Sequence, residues 1–493
     1  MKKNRFVPLI ALVLTLCMLL SVFVACDGGD QTPDATSEGT GVKETVPTGR
    51  PTDAEGYVLD ALPEDLKLNR EFSILGVQEQ KAQYYAEANA TAVIPKVLFK
   101  RAETVQARLN IEFKWTFVNG DWEDRAAFCK EVQSTSTTSA AYDAVICYNL
   151  VPYVLATNGL AENLYGTKYI DLTAPWWPSA YTAEALYNNT IYGVVENCAY
   201  GTLRQMTGVF FNNDLIDSHG MESPYDMVAN DTWTFDNMMA MLKDTYKDLN
   251  NNGQKDSSDY FGVCTGTSPK IDSWFYGMGY RWSDFDGDGN LQLLAGEASV
   301  LEFSERLAAA FQDQSFYPVD SKHAKMFTEV RAIMYMTSVV LADSYLHKLE
   351  LNYGIVPNPK GSDQQENYIT HLSNTHEAWC LPLNVDSIDE SSAVLECLAS
   401  ESYRQVDPTY YESCIKLRYA PDERLADMYD LIRDSITFDF FYLFAGSFST
   451  NPLSLLRSCC QNPTANSWSQ KWAANGANFE AELEKIIALY TAN

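Results

Sequence analysis

The chain has 493 residues, a formal net charge of −29, and a hydrophobic content of 46%. That length and apolar content suffice for two sizeable α/β lobes or about three ordinary domains. So acidic a chain, with no basic stripe, excludes electrostatic adhesion to nucleic acid or to anionic lipid.

Lys2, Lys3 and Arg5 precede an uncharged apolar run from Phe6 to Ala25. A basic n-region followed by an apolar h-region is the physical form of an export signal. A permanent anchor is the alternative, because about 20 apolar residues span a bilayer. Pro8 near the start of the run, and Ala25 before Cys26 in place of a positive cluster, favour the signal. Val24-Ala25-Cys26 resembles the lipobox of bacterial lipoproteins, with Phe23 where that pattern usually has Leu. The resemblance implies cleavage after residue 25, a lipid on Cys26, and a body held at the extracellular face of the cytoplasmic membrane. Residues 27–56 carry only Val42 and Val46 as aliphatic side chains larger than Ala. Such a stretch buries too little surface to offset its ordering entropy, so residues 26–67 are expected to be the lipidated cysteine and a flexible linker.

Beyond Cys17 and Cys26 the cysteines are Cys129, Cys147, Cys198, Cys264, Cys380, Cys397, Cys414, Cys459 and Cys460. An odd set without CxxC spacing points away from a disulfide framework or a zinc site.

Strand and helix signals alternate from about residue 70. EFSILGV (71–77), IEFKWTF (111–117) and YDAVICY (142–148) read as strands, with helices at 97–110 and near 122–134. A second set follows: strands TIYGVVE (190–196), MTGVFFN (206–212) and YFGVCTG (260–266), with helices from Thr234 to about Lys247 and near 299–312. RAIMYM (331–336) and YGIVP (353–357) are again buried strands. Helices are expected at about 389–402, 408–417, 422–434 and 479–491. This rhythm predicts mainly parallel, doubly wound sheets with right-handed crossovers. Trp176, Trp177 and Trp233 are read as packing residues, with contact to a ligand as the alternative, and Thr234 as a helix N-cap.

DLNNNGQKDSSD (248–259) sets Asp248, Asn250, Asn252, Gln254, Asp256 and Asp259 at positions 1, 3, 5, 7, 9 and 12, with Gly253 at 6. Alternating oxygen side chains with that glycine are the spacing of a calcium loop. Position 12 is Asp where Glu is usual, and a metal-free turn is the alternative. DFDGDG (284–289) begins in the same way, but its twelfth position is Ala295, so it reads as a hairpin turn.

The order of these segments resembles the extracellular solute-binding proteins of family 1, the sugar-type receptors of ABC importers. YDAVICYNLVPYVLATNGLAENL, YIDLTAPWW, NNTIYGVV, VFFNNDLID, TWTFDNMMAML, RAIMYM and NYGIVPNPKG carry it across most of residues 68–450. The resemblance implies a two-lobed α/β fold of the type II periplasmic-binding-protein kind, hinged between doubly wound lobes. The expected lobes are 68–200 with 331–375, and 201–330 with 376–493. It further implies a monomeric binder that takes a carbohydrate, an oligosaccharide by family habit, and hands it to permease subunits. Tyr148, Asn149, Glu196, Tyr200, Trp274, Tyr276, Asn374, His376 and Trp379 are the ligand candidates it suggests. Five histidines without an HExxH set, and no GxSxG elbow or P-loop, give no positive sign of catalysis. A ligand-sensing lipoprotein of the same fold and a surface glycan-degrading enzyme are the alternatives.

Overall fold

The computed structural model describes residues 49–491, except 138, 320–322, 374, 419 and 421–422. The export signal, Cys26, the first part of the linker and Asn374 therefore lie outside the described residues.

The strands in chain order are β1 (Arg70–Val77), β2 (Ile111–Val118), β3 (Ala144–Tyr148), β4 (Thr207–Asn212), β5 (Phe261–Thr265), β6 (Ser283–Phe285) and β7 (Leu291–Leu293). They continue with β8 (Phe316–Pro318), β9 (Ala332–Ser338), β10 (Tyr353–Val356), β11 (Thr370–His371), β12 (Glu377–Cys380) and β13 (Ile436–Thr437). One sheet has the order β12-β3-β1-β2 and the other β10-β4-β9-β5-β8. In the first, β1 runs parallel to β2 and β3, and β12 returns antiparallel with Glu377 opposite Tyr148. In the second, β5 is parallel to β8 and β9, while β4 is antiparallel to β9 and β10. Strands β4, β5 and β9 are buried along their whole length. That is why they read as unbroken apolar runs rather than alternating ones: helices cover both faces. Each sheet is the centre of one lobe, and the two-lobed α/β expectation holds.

The lobe boundaries need correction. Residues 331–356 supply β9 and β10 to the second sheet, not the first, and residues 377–380 supply β12 to the first. The helix Ile388–Glu401 packs on Val93–Leu109 in the first lobe, whereas Pro452–Gln461 and Trp468–Leu489 pack on Ala298–Gln312 in the second. Strand patterning says which segments are buried but not which neighbour they pair with. TIYGVVE is no strand either; it makes only single bridges, Tyr187 to Thr190 and Val194 to Trp379. The helix begun at Thr234, whose hydroxyl accepts from the Asn237 amide, ends at Met241. Past Ser402 the chain widens into π-helical turns, Ser402–Val406 and Pro408–Arg418. Pro408 lacks the amide that a regular helix needs there.

The linker also ends early. Val58 and Leu62 are core residues, and Asp60 accepts from both terminal nitrogens of Arg108 and from the Ser400 hydroxyl at 2.6 Å. Residues 57–67 thus belong to the first lobe. Asp60→Ala strips these charged hydrogen bonds, each worth about 1.5–3 kcal/mol. We expect a urea midpoint lower by at least 1.5 kcal/mol equivalent, with unchanged m-value.

Candidate functional site

In α/β sheets, ligands gather at the carboxyl ends of parallel strands. Such ends from the two lobes are brought to one seam by contacts of Gln80, Asn149 and Tyr276 with Thr375, His376 and His371. From the first lobe come Glu79–Gln83 after β1, and Tyr148 and Asn149 at the end of β3. From the second comes the helix Pro269–Gly277 after β5. Among the described residues the chain passes from one lobe to the other at about 196–206, between β3 and β4, and again at 371–373 and 375–377, between β10 and β12. The second crossing is bound on both sides. The Thr207 hydroxyl donates to the His371 carbonyl at 2.6 Å, and the Ser373 amide to Gln205 at 2.9 Å. From the first lobe, Gln80 Nε2 donates to the Thr375 carbonyl at 2.6 Å, and the Asn149 amide to the His376 carbonyl at 3.1 Å.

Polar atoms buried without a partner collect along this crossing: Gln80 Oε1, Asn149 Oδ1, His371 Nε2, His376 Nε2 and Tyr276 OH. A stranded polar group costs about 1–3 kcal/mol, which a water, an ion or a ligand relieves. His371 stacks on Tyr276 with ring centres 4.6 Å apart and meets Tyr442 edge-on at 4.7 Å. Burial holds His371 well below the usual histidine range and His376 down to about 4, so both rings are neutral. Tyr148 is pushed up to about 12, first by burial and then by Asp121 and Glu79. At the rim, single oxygens of Glu79, Asp121 and Asp124 lie within 4.8 Å of one another. A void of about 10 Å³, lined by Trp122, Arg125, Tyr148 and Gly446 among others, adjoins them. It is no larger than a water needs.

Of the candidates suggested by resemblance, Tyr148, Asn149, Tyr276 and His376 meet at this seam. Tyr200 lies on the first crossing, where its hydroxyl donates to Asp343 at 2.8 Å. Glu196 and Trp379 serve each other instead: Trp379 Nε1 donates to Glu196 Oε1 at 2.8 Å, and Arg101 lies 3.5 Å from Oε2. Trp274 is not on a loop. It is fully buried within Pro269–Gly277, with Phe235 and Phe316 against it, and its indole donates to Thr265 at 3.3 Å. It offers no face to a sugar. Trp176, Trp177 and Trp233 are buried as expected of packing residues. The sequence reading missed Gln80, His371 and Glu377; Gln80 follows the strand EFSILGV directly, and the strand-end rule points to it.

One ion pair joins the lobes, and another holds the second lobe together. Arg281 of the second lobe bonds Glu184 of the first. Burial lifts Glu184 to about 7, against the pull of Arg281. Arg457 grips Asp272 behind the Pro269–Gly277 helix.

Away from the seam, the 248–259 loop is closed by a Lys247–Tyr260 bridge. The Gly253 amide donates to Asp248 at 2.8 Å, Asn252 to Asn250 at 3.0 Å and Gln254 to Asn252 at 2.7 Å, winding the loop around its side-chain oxygens. Gly253 takes φ 71°, which suits glycine. Asp248 Oδ1 has no partner. Asp259 is fully buried, accepting from Leu249, Tyr246 and Asp256. The donor set is all oxygen and fits a hard cation. The DFDGDG segment is the β6–β7 hairpin turn, with Asp286 accepting from Asp288 and Asn290.

No family model matches the chain, and no curated protein sequence does. Solved structures do resemble it. The GacH receptor of Streptomyces glaucescens GLA.O, solved unliganded and with acarbose, is 13% identical, with TM-score 0.54 over 85% of this chain and 99% of that one. The ABC substrate-binding protein Lmo0181 of Listeria monocytogenes, in complex with cycloalternan, is 13% identical, with TM-score 0.53 over 84% and 99%. UgpB of Mycobacterium tuberculosis, bound to glycerophosphocholine, is 12% identical, with TM-score 0.55 over 84% and 99%. At such identities the likeness is one of fold: the two-lobed, type II periplasmic-binding-protein architecture.

Proposed function

We propose that this chain is the carbohydrate-binding lipoprotein of an ABC importer, held outside the cell by a lipid on Cys26. It is a binder rather than an enzyme, acts as a monomer, and presents its closed form to the permease. The observation that carries this reading is the row of unpartnered polar atoms along the second crossing, at the ends of strands from both lobes. Ligand hydroxyls would satisfy them, and the lobes would close by hinge motion around the crossings. The sugar-bound proteins of like fold support the carbohydrate reading.

The test is a calorimetric screen of oligosaccharides against the lipid-free mature chain. Saturable binding with micromolar or tighter Kd is expected, together with a smaller radius of gyration in the bound state. Release of shortened products would instead make it an enzyme. A Cys26→Ala chain released from membranes supports the anchor; retention there would mean an uncleaved span.

We further propose Ca²⁺ in the 248–259 loop, held by oxygens of Asp248, Asn250, Asn252, Gln254, Asp256 and Asp259, in a structural role. Millimolar Ca²⁺ is expected to raise Tm by several degrees, and Asp248→Ala to abolish the rise. An unchanged Tm across the titration refutes the site.

A further inference from the structure

Two of the stranded atoms have neighbours that fix their hydrogen-bonding role. The Gln80 amide nitrogen faces the Thr375 carbonyl at 2.6 Å. Turning that amide over would set oxygen against oxygen, so Oε1 is the acceptor. His376 Nδ1 lies 2.9 Å from the Ser373 carbonyl and must carry the ring proton, which leaves Nε2 as an acceptor. Asn149 places a side-chain amide on the chain that pairs with His376, and no neighbour fixes its orientation. All three side chains belong to residues only 1% exposed. An acceptor is relieved by a donor and by nothing else.

Arg125 at the rim donates to the Trp122 carbonyl and lies over its ring, and four other arginines are committed to carboxylates. Arg101 is paired with Glu196, Arg204 with Asp343, Arg281 with Glu184 and Arg457 with Asp272. Lys270, at the start of the Pro269–Gly277 helix, is brought down to about 8 by burial and keeps most of its charge at pH 7, so its attraction for an anion is what the uronate probe tests. The carboxylates Glu79, Asp121 and Asp124 at the rim repel one.

We propose that the seam selects ligands by their hydrogen-bond donors, through Gln80 and His376. It takes neutral polyhydroxylated or amino-bearing sugars and rejects uronates and phosphate esters. The inference rests on the carbohydrate reading above.

Calorimetry on the mature chain tests it with four probes: neutral glucose oligomers, glucosamine oligomers, uronate oligomers of equal length, and glycerophosphocholine. Spermidine serves as a donor-rich solute that is not a sugar. A neutral or amino sugar binding at least tenfold tighter than the uronate and the phosphate ester bears the proposal out. A uronate or glycerophosphocholine binding as tightly overturns it; in the uronate case the carbohydrate reading stands. Binding of spermidine alone would keep donor selection and remove the carbohydrate reading, and silence from every probe would remove both. Among variants, Gln80→Met is expected to lose affinity at least tenfold. Equal affinity in Gln80→Met and the parent chain also overturns the proposal.

Discussion

Asp272→Ala is expected to destabilise the protein by about 3–5 kcal/mol, read as a lower urea midpoint at constant m-value. Asp272 lies in the first turn of Pro269–Gly277 and is almost completely buried. Arg457 Nε donates to one of its oxygens at 3.0 Å and Nη2 to the other, and the Tyr442 hydroxyl reaches it at 3.4 Å. Burial raises the Asp272 carboxyl, and Arg457 and Tyr442 oppose the rise. The ion pair therefore contributes little beyond offsetting its own desolvation. Removing only the carboxylate leaves the guanidinium, nine-tenths covered, with no counter-charge. Paired replacement by apolar residues of similar size, Asp272→Leu with Arg457→Met, is expected to recover most of the loss. A single-variant cost below 1 kcal/mol would mean that water reaches Arg457.

The pair also shows where sequence reading stops. Asp272 and Arg457 are 185 positions apart, and no periodicity links them. What depends on neighbours in sequence was legible. β1, β2, β3, β4, β5, β9 and β10 stand within two residues of their apolar runs, and Thr234 caps its helix. Pairing was not: β12 consists of the four residues EAWC, too short and too mixed to signal a strand. Its place beside β3 is decided by tertiary packing, and the lobe boundaries went wrong with it. The helix Trp468–Leu489 begins well before its expected start because Asn475, Gly476 and Asn478 interrupt the pattern. Gly476 is there because Trp472 leaves no room for a side chain: a Cβ would sit 2.8 Å from its ring. At the seam, resemblance pointed to Asn149, Tyr276 and His376 alongside Trp274, which is core. Aromatic residue type alone does not separate a ring facing a cleft from a ring inside a lobe.

Glu377→Gln is expected to stabilise the protein at pH 8 and to leave it unchanged near pH 4.5. Glu377 opens β12 and is buried against the first crossing. A Cβ on Gly201 would lie 1.7 Å from its Oε2 and 2.4 Å from Gln83 Oε1. Burial lifts its carboxyl from the ordinary 4.5 to about 7; Glu196 pushes the same way, and Arg101 and the Gly201 amide pull back. Tyr84, in contact from the first lobe, stays protonated throughout, being raised well above its ordinary range by burial. A raised acid favours the folded state most below its unfolded pKa and loses that contribution as pH climbs through the folded one. Glu377 therefore withdraws about 3 kcal/mol of stability between pH 4.5 and 7, and a glutamine does not. Glu184 at about 7 and Glu396 at about 8 slope in the same direction. Neutral His371 and His376 slope the other way, losing stability as pH falls below 6.5. These four titrate alike in both proteins, so the difference between the two stability curves isolates Glu377. Superimposable curves from pH 4.5 to 8 would place the ionised carboxylate in contact with water in the folded protein. The seam beside Gly201 would then be open rather than packed.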